Sequence, residues 1–162
     1  MNRRQTVLAG ASLFGMLAGL RLARPVAAGS DGARFAVTKS DAAWRSELTS
    51  EEYAILRGHG TERAGSSPLA HEERDGRFAC AGCAQPLFSS AAKFESGTGW
   101  PSFTAPLPDA VGTTTDTAYG MRRTEVHCAR CGGHLGHVFA DGPRPTGLRY
   151  CMNGAAMRFV AA

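Results

Sequence analysis

Four of the five cysteines sit in two Cys-x-x-Cys turns, Cys80-Ala81-Gly82-Cys83 and Cys128-Ala129-Arg130-Cys131-Gly132. Each turn carries two thiols, and glycine lets the backbone bend so that both sulfurs face one ion. Four thiolates form the closed tetrahedral set that structural zinc prefers, although a rubredoxin-like iron site uses the same ligands. Disulfides are the other use of cysteine in an exported chain. Paired within each turn, they would close two small strained loops and join nothing else. One zinc ion instead ties residue 80 to residue 131 across the insert Ala84 to His127, which a short β domain can use for stability. A compact zinc ribbon spaces its pairs by only about 15 to 20 residues, so the longer insert argues for a metal site built into a larger scaffold.

Cys151 is left over, and an unpaired thiol is buried and inert, intermolecular, or reactive. Arg149 lies two residues before it and Asn153 two after, so an extended strand would point a cation, the thiol and an amide to one side. A nearby cation favours the thiolate, the nucleophilic form. His134-Leu135-Gly136-His137-Val138-Phe139 adds two imidazoles and is followed by Asp141-Gly142. With the metal filled by cysteines, proton donation suits at least one histidine, and plain core packing is the alternative. In Glu95-Ser96-Gly97-Thr98-Gly99-Trp100-Pro101-Ser102-Phe103 the glycines around Thr98 permit close approach, and Trp100 with Phe103 offers a flat apolar wall. Aromatic walls, a thiolate and proton donors suit a small apolar substrate with one polar atom.

These groups need a frame. The 162 residues are 43% hydrophobic and 20% charged, the composition of one ordinary globular domain. Ser40 can cap a short helix from Trp44 to Leu48. Thr49-Ser50-Glu51-Glu52 is a capping box opening a second helix that turns Tyr53 and Leu56 inward, with Ile55 beside them, and stops at Gly58-His59-Gly60. The two read as packing helices and nothing more. From Arg77 onward, short apolar runs are cut by turn residues. The expected strands are Arg77 to Cys80, Pro86 to Phe88, Pro101 to Ala105, Thr124 to Cys128, His137 to Ala140, Arg149 to Met152 and Met157 to Val160. This is an antiparallel β domain with a small helical N-terminal lobe.

Residues 1–28 read as an export signal. Arg3-Arg4 precedes an uncharged run from Val7 to Leu20, shorter than the roughly 20 residues a membrane-spanning helix needs, and Val26-Ala27-Ala28 suits a signal peptidase. The paired arginines and glycine-diluted apolar run resemble a twin-arginine signal, although Thr6 stands where such signals carry a bulky apolar residue. A general secretory signal or an uncleaved anchor is the alternative. Residues 29–34 form a polar lead expected to be flexible. The signal holds Arg3, Arg4, Arg21 and Arg24 and no acid, so without it the net charge of +4 falls to zero. The basic character belongs to the address and gives no warrant for nucleic-acid binding. The mature part is expected to have no stable membrane span and to be periplasmic or otherwise exported.

The run Lys93 to Phe103, the two Cys-x-x-Cys turns, His134 to Phe139, and Arg149-Tyr150-Cys151-Met152-Asn153 with Arg158-Phe159 downstream resemble methionine sulfoxide reductase B, in the same order from Phe35 to Phe159. The resemblance implies a mainly β, tent-like domain over 35–162, with two antiparallel sheets, a helical N-terminal lobe and one structural zinc on Cys80, Cys83, Cys128 and Cys131. It implies reduction of the R epimer of methionine sulfoxide in peptides and proteins. Cys151 would be the nucleophile and become a sulfenic acid. His134, His137 and Asn153 would protonate or hold the sulfoxide oxygen. Trp100 and Phe139 would pack the substrate methyl, with Phe103, Asp141 and Arg149 supporting. Many members carry a resolving cysteine where Thr98 stands here, so an internal disulfide gives way to an external thiol reductant, thioredoxin-like or another periplasmic donor. Two other classes compete. A zinc-ribbon-like binding module predicts surplus basic charge and leaves Cys151 without a role. A thiol–disulfide electron carrier needs only one Cys-x-x-Cys pair and no zinc.

Replacing Arg3 and Arg4 together by lysine is expected to stop export, measured as loss of periplasmic accumulation. Unchanged accumulation would point to the general secretory route.

Overall fold

The computed structural model describes residues 35–162, so the expected export signal, its expected cleavage point and the 29–34 lead lie outside the described residues. Helix α1 (Asp41–Glu47) begins where the Ser40 hydroxyl accepts the Ala43 N–H at 3.2 Å. Helix α2 (Ser50–Leu56) opens on the expected capping box: the Thr49 hydroxyl accepts the Glu52 N–H, and the Glu52 carboxylate accepts the Thr49 N–H at 2.8 Å. Helices of seven residues are marginal alone. Packing holds these two, through the buried side chains Trp44, Ile55 and Leu56. No helix among the described residues is long and apolar enough to cross a membrane.

Nine strands follow: β1 (Gly76–Cys80), β2 (Pro86–Ser89), β3 (Lys93–Phe94), β4 (Ser102–Phe103), β5 (Val111–Asp116), β6 (Arg123–Cys128), β7 (His134–Phe139), β8 (Arg149–Met152) and β9 (Met157–Ala161). They form two antiparallel sheets, one of three strands in the order β2-β1-β9 and one of six in the order β3-β4-β8-β7-β6-β5. The fold is therefore mainly β with two short helices, as expected. Phe78 and Phe88 from the small sheet meet Phe103 from the large one: Phe88 stacks on Phe103 at 4.3 Å between ring centroids, and Phe78 meets it edge-on at 4.9 Å. All three rings are fully buried and form the aromatic centre of the core.

Two strands had no clear signal. β5 is rich in threonine and half exposed, so its apolar alternation is too weak to mark it. β3 has two residues. The expected strand at Pro101 to Ala105 shrinks to Ser102–Phe103, and β7 starts three residues earlier than expected. That early start matters because β6 and β7 are out of simple register: Val126 faces Gly136 while His127 faces His134, leaving Leu135 as an extra residue. This bulge cancels the change of face that a three-residue spacing would impose on His134 and His137. Gly136 makes the close pass possible, since a Cβ there would lie 2.2 Å from the carbonyl oxygen of Cys151.

Leu56 is buried against the glycines of both cysteine turns: Cβ atoms built at Gly82 and Gly133 would sit 3.5 and 2.9 Å from its methyl carbons. Leu56→Ala is expected to cost about 2–5 kcal/mol of folding stability, read from denaturant midpoints.

Candidate active site and metal centre

Residues directly opposite in an antiparallel ladder share a face. Reading across the large sheet, Ser102 on β4 faces Cys151 on β8, Cys151 faces His137 on β7, His137 faces Glu125 on β6, and Glu125 faces Thr114 on β5. One transverse row thus carries a thiol, an imidazole and a carboxylate on a single face. The neighbouring row adds Arg149 opposite Phe139 and Arg123 opposite Asp116.

A cavity of about 140 Å³ opens on this face, lined by Trp100, His137, Phe139, Cys151, Asn153 and neighbours including Thr61 and Arg123. Trp100 is held by its indole N–H, which donates to the Glu62 carbonyl at 3.2 Å. The Phe139 ring is covered by the Arg149 guanidinium at 4.6 Å, and Arg149 is locked by two hydrogen bonds to Asp141 at 2.8 and 2.9 Å. Asn153 lies just beyond the end of β8. Its amide oxygen accepts the Glu62 N–H at 3.0 Å, and its amide nitrogen donates to the Leu135 carbonyl at 3.0 Å. Phe103 corrects an expectation. It belongs to the core stack and does not line this cavity, because alternation along β4 turns Ser102 to the site face and Phe103 away from it.

Cys151 lies 4.0 Å from the Thr98 hydroxyl, which is joined through Ser96 to Ser102 by hydrogen bonds of 2.8 Å. Burial pushes the Cys151 thiol above its ordinary pKa, and the Arg149 charge, with Thr98 and Ser102, offsets this only in part. The cation expected beside the thiol is there, but desolvation wins. The two imidazoles stand 5.4 Å apart between centroids. His137 Nε2 is 2.7 Å from Asp116, which also accepts from Arg123 at 2.7 Å. Asp116 is held below the usual carboxylate range, most strongly by the Ala118 N–H and then by His137. His134 Nδ1 is 2.7 Å from Glu125, and burial lowers the His134 pKa against the pull of that carboxylate. His134 does not reach the small cavity. It lines an adjoining groove of about 900 Å³, which shares Thr61, Arg123 and His137 with the cavity.

Several residues around the site carried no signal in the sequence. Glu62 accepts the N–H groups of Gly154 and Ala155 at 2.7 and 2.8 Å, tying the helical lobe to the chain just after Cys151. With Thr61, which lines the cavity, it shows that the segment after α2 serves the site, so the helical lobe does more than pack. Asp116, Arg123 and Glu125 become visible only when strand partners are known.

The four remaining cysteines converge, their sulfurs all within 4.8 Å of one another. Cys80 faces Cys131 at 3.7 Å and Cys83 faces Cys128 at 3.6 Å, so each sulfur's near neighbour lies on the other turn and none is bonded. A tetrahedral zinc with bonds of about 2.3 Å requires sulfur–sulfur edges of roughly 3.8 Å, so these residues fit the ion. Side chains of α2 and Phe35 close over the turns. Gly132 has a φ of 68°, and a Cβ there would meet the Phe35 ring at 2.2 Å.

A SelR domain model matches residues 48–161. A peptide methionine sulfoxide reductase MsrB of Agrobacterium fabrum is 56% identical over 124 residues, covering 76% of this chain and 92% of that protein. Proteins of the same name from Leptospira interrogans and Thiobacillus denitrificans are 54% and 57% identical, covering 77% and 75% of this chain and 96% and 92% of their own lengths.

The purified domain is expected to hold one zinc per chain. Cys80→Ser should lower thermal stability and solubility, since structural zinc contributes on the order of 10 kcal/mol to folding. A metal-free Cys80→Ser protein that melts like the parent would show that the cluster is not a structural metal centre.

Proposed function

The chain belongs to the peptide methionine sulfoxide reductase B family, and from that premise we propose that it reduces the R epimer of methionine sulfoxide in peptides and proteins through a Cys151 sulfenic acid. The observation that carries this reading is the direct pairing of Cys151 with His137 on the face that opens into the aromatic-walled cavity. The cavity's 140 Å³ suits a single methionine sulfoxide side chain, with its methyl against Trp100 and Phe139. The Asn153 amide is engaged with the Glu62 and Leu135 backbone, so it fixes the wall and proton donation falls to the imidazoles. His137 borders the cavity, and His134 stands behind it.

A sulfoxide sulfur becomes electrophilic when its oxygen is protonated. His137 delivers a proton to that oxygen and takes the Cys151 thiol proton in its place, the Cys151 sulfur attacks the substrate sulfur, and oxygen passes to Cys151 as the S–O bond of the substrate breaks. Methionine leaves reduced, and Cys151 is oxidised to its sulfenic acid. Two equivalents of an external thiol then restore the cysteine, releasing water and a disulfide. Thr98, 4.0 Å from the Cys151 sulfur, stands where a second cysteine could act, and the other four cysteines are gathered in the four-sulfur cluster. Zinc supplies structure and enters no step. With the N-terminal signal, a periplasmic thiol donor is the reductant that fits.

Stereopure substrates test this directly. One equivalent of an R-sulfoxide peptide is expected to convert Cys151 to a species trapped by a sulfenic-acid reagent, with zinc retained and no internal disulfide, while the S epimer is inert. Thr98→Cys should instead give a disulfide between the introduced thiol and Cys151, since the side chains already approach to 4.0 Å. Reduction of the S epimer, or a disulfide from Cys151 to another cysteine of the parent chain, would overturn the proposal.

A further inference from the structure

One strand away from the cavity, three donors converge on the same face. Glu125 Oε1 lies 2.7 Å from His134 Nδ1 and 3.1 Å from His59 Nδ1, and the ligand atoms of all three residues lie within 4.8 Å of one another. A tetrahedral shell with bonds of about 2.0–2.1 Å has edges of roughly 3.3–3.4 Å, so displacements of a fraction of an ångström would open the two hydrogen-bonded contacts to admit an ion. The carboxylate is oriented from behind, because the Thr114 hydroxyl donates to Glu125 Oε2 at 2.6 Å and turns Oε1 toward the two imidazoles. A hydrogen bond of this kind to the outer oxygen is how protein metal sites hold a carboxylate ligand in place.

The donors also differ usefully in mobility. Glu125 and His134 are buried, whereas the His59 side chain is 64% exposed at the rim of the 900 Å³ groove and can close over an incoming ion. His134 Nε2 is buried and has no hydrogen-bond partner, so nothing on the far side of the ring competes with Glu125 for its position. Burial lowers the pKa of this imidazole and so favours its neutral form, the form that binds metal.

We propose that His59, Glu125 and His134 bind one divalent transition-metal ion of the zinc and copper class, apart from the four-cysteine site and with open coordination positions toward the groove. Two imidazoles and one carboxylate are a donor set suited to such ions. The proton between His134 Nδ1 and Glu125 sits where the ion would, so binding moves it to the outer nitrogen of the ring, while any imidazolium proton on His59 is released to solvent. A bound ion ties up His134 beside His137 and so inhibits turnover. The inhibition rests on the proposed reductase mechanism, whereas the binding does not.

The test uses the protein holding its structural zinc. Titrated with Zn2+ in a calorimeter, and with Co2+ as a spectroscopic substitute, the parent should take up one further equivalent. His59→Ala, altered only at an exposed side chain, should bind that equivalent on the order of 100-fold more weakly, and Glu125→Gln should lose it as well. His59→Ala should keep metal-free turnover and lose its sensitivity to added zinc. A parent that binds no second equivalent, or a His59→Ala protein that binds it unchanged, would overturn the proposal, whatever is found for sulfoxide reduction.

Discussion

Antiparallel register across the large sheet is the constraint on which the site depends. Five strands place Ser102, Cys151, His137, Glu125 and Thr114 side by side because each faces its neighbour across a ladder. A slip of one residue in any of these pairings would turn a member of the row into the core. Burial on the other face opposes such slips: Val126, Leu135, Met152 and Phe103 have nowhere else to go. The apolar face thus fixes the chemistry of the polar face. The bulge at Leu135 is the one place in this row where the alternation is broken, and it brings the second imidazole to the same side as the first.

The four-cysteine cluster works at longer range. It joins the turn after β1, in the small sheet, to the turn between β6 and β7, in the large one. The β6–β7 turn leads directly into His134, so half of the sulfur cluster and the start of the imidazole strand are neighbours in the chain. α2 covers both turns with Leu56, and the segment after it returns to the cavity, where Glu62 touches Trp100, Asn153 and the Gly154–Ala155 turn. Sulfur cluster, helix and pocket wall are therefore mechanically connected through a short stretch of chain.

The sequence disclosed those features whose signal is local. The four metal cysteines, the capping box at Thr49, the strand through Cys151 and the turn-bounded apolar runs can each be read within a few residues. The pairing of Arg149 and Cys151 on one face follows from alternation alone. What escapes is set by partners distant in the chain. Glu125 and Asp116 matter because of what faces them, and β5 is a threonine-rich strand without a strong apolar period. Phe103 is easily misplaced because an aromatic residue near a tryptophan suits a pocket wall as well as a core, and only the pleat of β4 decides between them. The pull of Arg149 on Cys151 is visible in the sequence, but the opposing burial depends on the folded packing.

That burial has a consequence for survival. A protein that handles oxidised methionine is expected to work among peroxides and hypohalous acids, and thiolates are the form these oxidants attack. Because the Cys151 pocket favours the protonated thiol, the resting enzyme presents a poor target to small oxidants. In the proposed mechanism the thiol need give up its proton only once a sulfoxide is seated in the cavity beside His137. The burial of this thiol therefore acts as a chemical filter that slows irreversible over-oxidation of the sulfur on which the proposed reaction turns.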